Sequence, residues 1–248
     1  MSMQGGNQLG HAAGDGGIAP RARRALCVLG SIAASWLLVA CPESTQARSW
    51  PAGTLLAVDE IPITSEELAR DVATVLLIEP QWGDTQLRRL AFNSIALPRA
   101  LSRARVSAKV RDKARAELDA LYASMLQGRQ FGPPTSAGVL GQERAGSWIR
   151  VGLVAWGAAF HLQPGEWSEV LEEPGAFLRV RLLERQDAPV PEEVSLRLDV
   201  LAVPFGDALS SKPPDDEELG KHRLTIVDPA WEAIVPERTK YLMKAGDR

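Results

Sequence analysis

The sequence predicts an α+β fold, an N-terminal helical part followed by a small antiparallel sheet with helices, and three observations predict it. Thr64-Ser65-Glu66-Glu67 is a capping box at the start of one helix, and Val110, Ala114, Leu118, Leu121 and Met125 recur at helical spacing in another. Gln163-Pro164-Gly165-Glu166 and Glu172-Glu173-Pro174-Gly175 supply turn chemistry, with Pro presetting φ and Gly accepting φ above zero, around short strands at Trp167 to Leu171 and Ala176 to Leu183. Val194, Leu196, Leu198 and Val200 alternate with Ser195, Arg197 and Asp199, the pattern of a half-buried strand.

The chain has 248 residues, 45% hydrophobic and 24% charged, enough for one or two small domains. A formal charge of −3 leaves no basic footprint, so nucleic acid is not expected as a partner. Arg21, Arg23 and Arg24 precede an apolar run from Ala25 to Ala40, short for a membrane span and suited to a signal-peptide core. The run ends in Leu38-Val39-Ala40-Cys41, which resembles the bacterial lipobox; Cys41 is then the lipidation site and the new N-terminus. The alternative is an uncleaved anchor with an incidental cysteine. Cleavage removes three Arg and one Asp from 28 basic and 31 acidic residues, leaving 25 and 30 and a net charge of −5. It also discards Cys27, so no disulfide and no cysteine metal site is expected.

Residues 1–40 are read as a lipoprotein signal peptide and 41–53, rich in Pro, Ser and Thr, as a tether. Within 54–106, Leu55 to Ile63 reads as a strand pair, the capped helix runs to about Glu79 and stops at Pro80, and a helix from Asp84 is interrupted or kinked by Pro98. Arg88, Arg89, Arg99, Arg103 and Arg105 read as a basic face, either solvated or in contact with anionic lipid or an acidic client. In 107–186, Ser107 can cap a helix that Gly128 stops, and 132–145 reads as a loop rich in Gly, Pro, Ser and Thr. In the extension 187–248, an acidic loop from Asp207 to Gly220 precedes a short strand at Leu224 to Val227 and a closing helix from Trp231 to Met243.

Two resemblances lie in this order of elements. Leu55 to Leu68, LLAVDEIPITSEEL, resembles the opening of SurA-type periplasmic chaperones, with Asp59-Glu60 in place of the usual Asn-Gly. Residues 107–186 resemble a parvulin-type peptidyl-prolyl isomerase domain: Gly128 to Phe131 has the Gly-x-x-Phe spacing, Gly146-Ser147-Trp148 falls in the family's Gly-x-Leu-Gly-Trp-Phe stretch, and Ala159, Phe160, Leu162, Pro164, Gly165, Glu166, Ser168 and Gly175 match its C-terminal half. Parvulins lower the barrier to rotation about an X-Pro bond by gripping the proline ring in an apolar pocket beside a polar cluster. The resemblance implies a histidine on the first strand, a Cys or Asp in the loop and a histidine on the last strand. Arg103 to Val110 holds no His, Thr135 to Gln142 neither Asp nor Cys, and Phe177 occupies the last position. No catalytic residue is therefore assigned.

The apolar side of the implied site is filled by Phe131, Trp148, Leu153, Trp156, Phe160 and Phe177, nominated for peptide binding; plain core packing is the alternative. Trp156 and Trp167 are expected to be exposed enough to touch a partner. His161 and His222 read as isolated surface residues. Paired-His spacing and a Gly-x-Ser-x-Gly elbow are lacking, so neither a metal, a cofactor nor a hydrolase is expected. The strand at Val194 to Phe205 resembles a parvulin first strand displaced to the C-terminus, and it is expected to pair with Ala176 to Leu183 as a substitute edge. The implied protein is an outer-membrane lipoprotein facing the periplasm that binds extended or proline-containing envelope polypeptides as a chaperone, with weak or no isomerase activity. Its rivals are an active isomerase and an assembly factor for one envelope complex.

Overall fold

The computed structural model describes residues 49–127, 139–205 and 214–245, with 139–142 described by backbone alone. The signal-peptide reading, Cys41, all but the last residues of the tether, Gly128 and Phe131 lie outside the described residues. The chain is mixed α+β. Its elements in order are β1 (Thr54–Val58), β2 (Ile61–Thr64), α1 (Ser65–Leu76), α2 (Asp84–Ala91), α3 (Leu97–Arg105), α4 (Ala108–Leu126), β3 (Val139–Gly146), α5 (Trp148–Val151), α6 (Leu153–Ala159), β4 (Leu171–Glu173), β5 (Ala176–Gln186), β6 (Ser195–Pro204), α7 (Asp216–Leu219), β7 (Arg223–Ile226), α8 (Glu237–Leu242) and β8 (Lys244–Ala245). The strands form two four-stranded sheets, ordered β2-β1-β7-β8 and β3-β6-β5-β4, antiparallel except between β7 and β8.

In the first sheet, β1 and β2 turn at Asp59-Glu60, where Asp59 adopts φ 52°. Asp tolerates the left-handed region better than most residues, so the turn closes without the Asn-Gly pair. Thr64 caps α1 as the sequence indicates: its hydroxyl accepts from the Glu67 amide at 3.2 Å, and Glu67 reaches back to the Thr64 amide at 3.4 Å. Pro98 neither ends nor sharply breaks the next helix. A five-residue π-helical segment, Phe92–Ala96, joins α2 to α3, and the Leu97 amide bonds to the Phe92 carbonyl. Proline cannot donate to the carbonyl four residues back, and a widened turn re-routes the ladder around that gap.

The segment after residue 186 contributes strands to both sheets. β7 pairs with β1, Leu56 opposite Ile226 and Val58 opposite Leu224, and Trp231, Ile234, Val235 and Met243 share one core with Leu56, Phe92 and Leu101. The closing helix is shorter than expected: a 3₁₀ turn at Pro229–Trp231 precedes α8, because Pro236 lacks an N–H and disfavours helical backbone in the residue before it.

The second sheet also departs from the expected order. Residues 139–145, expected within a loop, form β3 together with Gly146, and its partners in β6 lie 50 to 63 residues downstream, from Gly146 opposite Leu196 to Val139 opposite Ala202. Trp167 to Leu171 makes only a single bridge, Trp167 to Arg181, before the short β4. The hairpin at Pro174-Gly175 forms as read, with Glu173 opposite Ala176 and Gly175 at φ 83°. β6 pairs with β5 from Ala176–Pro204 to Gln186–Ser195, as expected, but β3 flanks its other side, so β6 is central where an edge was expected. Strand alternation divides the side chains between two faces. Leu178, Val180, Leu196 and Leu198 pack with Val151, Ala155 and Trp156 of α5 and α6, while Phe177, Leu201, Val203 and Phe205 pack with Ala114 and Leu118 of α4. Val110, at the start of the α4 stripe, remains exposed.

Candidate functional site

The described members of the nominated peptide-binding set do not line one pocket. Trp148, Leu153, Trp156 and Phe160 belong to the core on the α5–α6 face of the second sheet, and Phe177 lies on the opposite face against Phe205, ring centroids 4.9 Å apart. Period-two alternation along β5 forces that separation, since Leu178 already occupies the first face. Trp156, expected to be accessible, is 0% exposed, and its indole N–H donates to the Val194 carbonyl at 3.1 Å. Phe160 is half-buried between the Trp156 ring and the Arg185 guanidinium. Trp167 is also half-buried, against Tyr122 and beneath Arg181.

A different surface gathers the conspicuous groups. A cleft of about 600 Å³ opens between α1, α6 and the stretch Glu169 to Glu172 that leads through β4. Its apolar lining includes Leu77, Val154, Val170, Leu171 and Phe177. At one end α1 and α6 touch closely, since a Cβ placed on Gly157 would sit 2.5 Å from Thr74 Cγ2. β4 is the end strand of its sheet, hydrogen-bonded to β5 alone, so alternate backbone groups turn away from β5.

The cleft is braced by ion pairs that engage most of the basic face. Arg99 forks onto Asp71 at 3.0 and 2.7 Å; Arg103 donates to Glu67 at 2.7 Å and to both oxygens of Glu172 at 2.9 and 2.6 Å. Arg103 thereby ties α3 to α1 and to β4. Arg88 pairs with Asp84, Arg105 with Glu218, and Arg89 donates to the carbonyls of Ala233 and Ile234. Arg89, Arg99 and Arg103 thereby tie separate elements together, while Arg88 makes an exposed pair within α2. Burial pushes Glu67 up, but the charge and hydrogen bond of Arg103, with Arg99 and the Thr64 amide, outweigh it and hold the carboxyl below its ordinary value. For Asp71 burial prevails over Arg99 and raises the carboxyl. Burial opposes the charge on Arg103, yet its two carboxylate partners raise its pKa further.

His222 is not an isolated surface residue. It is 9% exposed, with Nδ1 2.6 Å from Asp59 and Nε2 3.0 Å from Glu218. Asp59 also accepts from the Arg223 amide, so the histidine locks the β1–β2 turn to α7 and β7. His161 is exposed and lines the cleft. Among the described residues, no group of three His, Cys, Asp or Glu could hold a metal ion, and no helix is long and apolar enough to cross a membrane. A second hollow, about 490 Å³, lies beside β7 and is lined by Trp50, Ile226 and Pro229; it joins no elements from the second sheet.

Compared with family models, curated proteins and solved structures, the chain matches none of them. The site therefore stands on its geometry. Sequence reading passed over the cleft, although one signal pointed to it: Glu67 and Asp71 on one helix and Arg99 and Arg103 on another share i, i+4 spacing with opposite charge.

Proposed function

We propose that this chain is a lipid-anchored cell-envelope chaperone of the parvulin and SurA-like type, which binds extended or proline-containing segments of envelope polypeptides in the cleft beside β4. The observation that carries the reading is an end strand, bonded on one side only, bordering a cleft with apolar floor and charged rim. An extended segment added there gains main-chain hydrogen bonds from the strand and side-chain contacts from the floor, the mode by which sheet edges take up peptides without demanding one sequence. The pairing of β6 with β5, broken only by a bulge between Leu182 and Glu184, supports the displaced-first-strand form of the parvulin reading. Phe177, at the family's last-strand histidine position, is 4% exposed and packed in apolar surroundings, which supports weak or no isomerase activity.

The test pairs two assays on the purified full chain. Light scattering from a diluted, unfolded outer-membrane protein should fall with added chain, while isomerisation of a proline tetrapeptide should not accelerate. Undiminished aggregation at a molar excess of chain sinks the chaperone reading, and acceleration in the second assay restores the isomerase.

A further inference from the structure

We propose that the cleft prefers extended segments carrying a carboxylate, which Arg70 and Arg115 seat; the inference rests on the peptide-binding reading of that cleft. Its basis is a charge imbalance left after the internal pairs are formed. Arg99 is taken up by Asp71, and Arg103 by Glu67 and Glu172. Arg70 on α1 and Arg115 on α4 line the same cleft and are exposed; neither guanidinium makes an ion pair or hydrogen bond among the described residues, and Arg70 acts on Asp71 only through its charge.

Arg111 stands one turn before Arg115 on α4, which places the two side chains on one face. Its Nε is buried without a hydrogen-bond partner and lies 4.0 Å from Glu172 Oε1, an oxygen already engaged by Arg103. Arg111 does not line the cleft itself but adds its charge behind Glu172. Counting Arg111 with the lining residues, five guanidinium groups meet four carboxylates: Glu67, Asp71, Glu169 and Glu172. One further carboxylate balances the site. Guanidinium forks suit that guest, because each offers paired N–H donors at carboxylate spacing.

A side-chain carboxylate and a chain-terminal one have the same chemistry, so the experiment separates them. Three fluorescein-labelled peptides share one extended, proline-containing sequence: central Glu with an amidated C-terminus, central Gln with an amidated C-terminus, and central Gln with a free C-terminus. Anisotropy titrations use the full chain and the double variant Arg70→Gln/Arg115→Gln, whose altered side chains are exposed. The wild type should bind at least one carboxylate peptide about tenfold more tightly than the amidated Gln peptide, the ratio one charge-assisted contact supplies, and the double variant should bind all three alike. Which carboxylate peptide gains identifies the source. Equal wild-type affinity for all three, or a preference that survives in the variant, overturns the carboxylate seat and leaves peptide binding standing. No binding of any peptide overturns both.

Discussion

Gly157→Ala offers the most direct test of how the cleft is closed. The added Cβ would lie 2.5 Å from Thr74 Cγ2 and 3.3 Å from both Cβ and Oγ1 of the same residue. Carbon atoms prefer about 3.5–4.0 Å, so α1 and α6 must part by about an ångström or tilt. Rotating Thr74 offers little escape, because its hydroxyl donates to the Arg70 carbonyl at 3.2 Å and would lose that bond. Two terms oppose each other. Replacing glycine inside a helix gains about 0.5–1 kcal/mol, whereas overpacking costs about 1–3 kcal/mol. With three Thr74 atoms within 3.3 Å, overpacking should prevail, and the net loss should be about 1–2 kcal/mol. In a Thr74→Ala background the nearest atom is gone, so Gly157→Ala should become neutral or stabilising by up to about 1 kcal/mol. Urea unfolding of the four proteins of this cycle, read as midpoints at constant slope, measures both numbers. A single variant as stable as wild type, or a loss unchanged in the Thr74→Ala background, would refute the contact and the rigid closure argued from it.

Three further outcomes follow from the charges and the anchor. Arg103→Ala leaves Glu67 and Glu172, 18% and 14% exposed, without their shared cation, and should cost about 3 kcal/mol in urea unfolding; a loss below about 1 kcal/mol would show that the bridge is dispensable. Glu67 sits below its ordinary value of 4.5, so its contribution is present above that value and is lost as pH falls through its folded pKa. Glu67→Gln should accordingly be less stable than wild type near pH 6 and converge with it as the pH falls through the folded pKa of Glu67; parallel stability curves would contradict the assignment. Asp71 and Glu173, both raised by burial, bind protons more tightly when folded and contribute the opposite slope, so the difference between variant and wild type is the quantity to read. Cys41→Ser in cells should move the chain from the membrane fraction to the soluble fraction or leave it unprocessed, and unchanged fractionation and mass would refute lipidation at that residue.

What was legible in the sequence was local. The Thr64–Glu67 capping box, the Pro174-Gly175 hairpin and the alternation of β6 each rest on residues a few positions apart, and each forms as read. What escaped depended on distant partners. β3 includes Gly141, Gly146 and several polar residues, and becomes a strand because β6 presents it a ladder. The basic stripe of α2 and α3 reads as surface until α1 and β4 bring Asp71, Glu67 and Glu172 against it. The nominated peptide-binding residues are split between two faces for a similar reason. Hydrophobic content reports that a residue is buried, but the pleat alone decides which face receives it, and Phe177 fell on the α4 face.

The same long-range closure explains why the cleft sits where it does. α1 shares a core with β1, β7 and the C-terminal segment, whereas β4 belongs to the second sheet, so the two cleft walls are built on different sheets. They are linked on one side by the tight Thr74–Gly157 contact and on the other by Arg103 reaching Glu67 and Glu172 at once. On the proposed reading, a segment entering beside β4 would meet Glu172 in the cleft lining, and a carboxylate on it would compete with Glu172 for the neighbouring guanidinium groups. Peptide binding and the Arg103 bridge should therefore be coupled: weakening the bridge loosens the wall that the segment must pair with, so Arg103→Ala should weaken binding as well as stability.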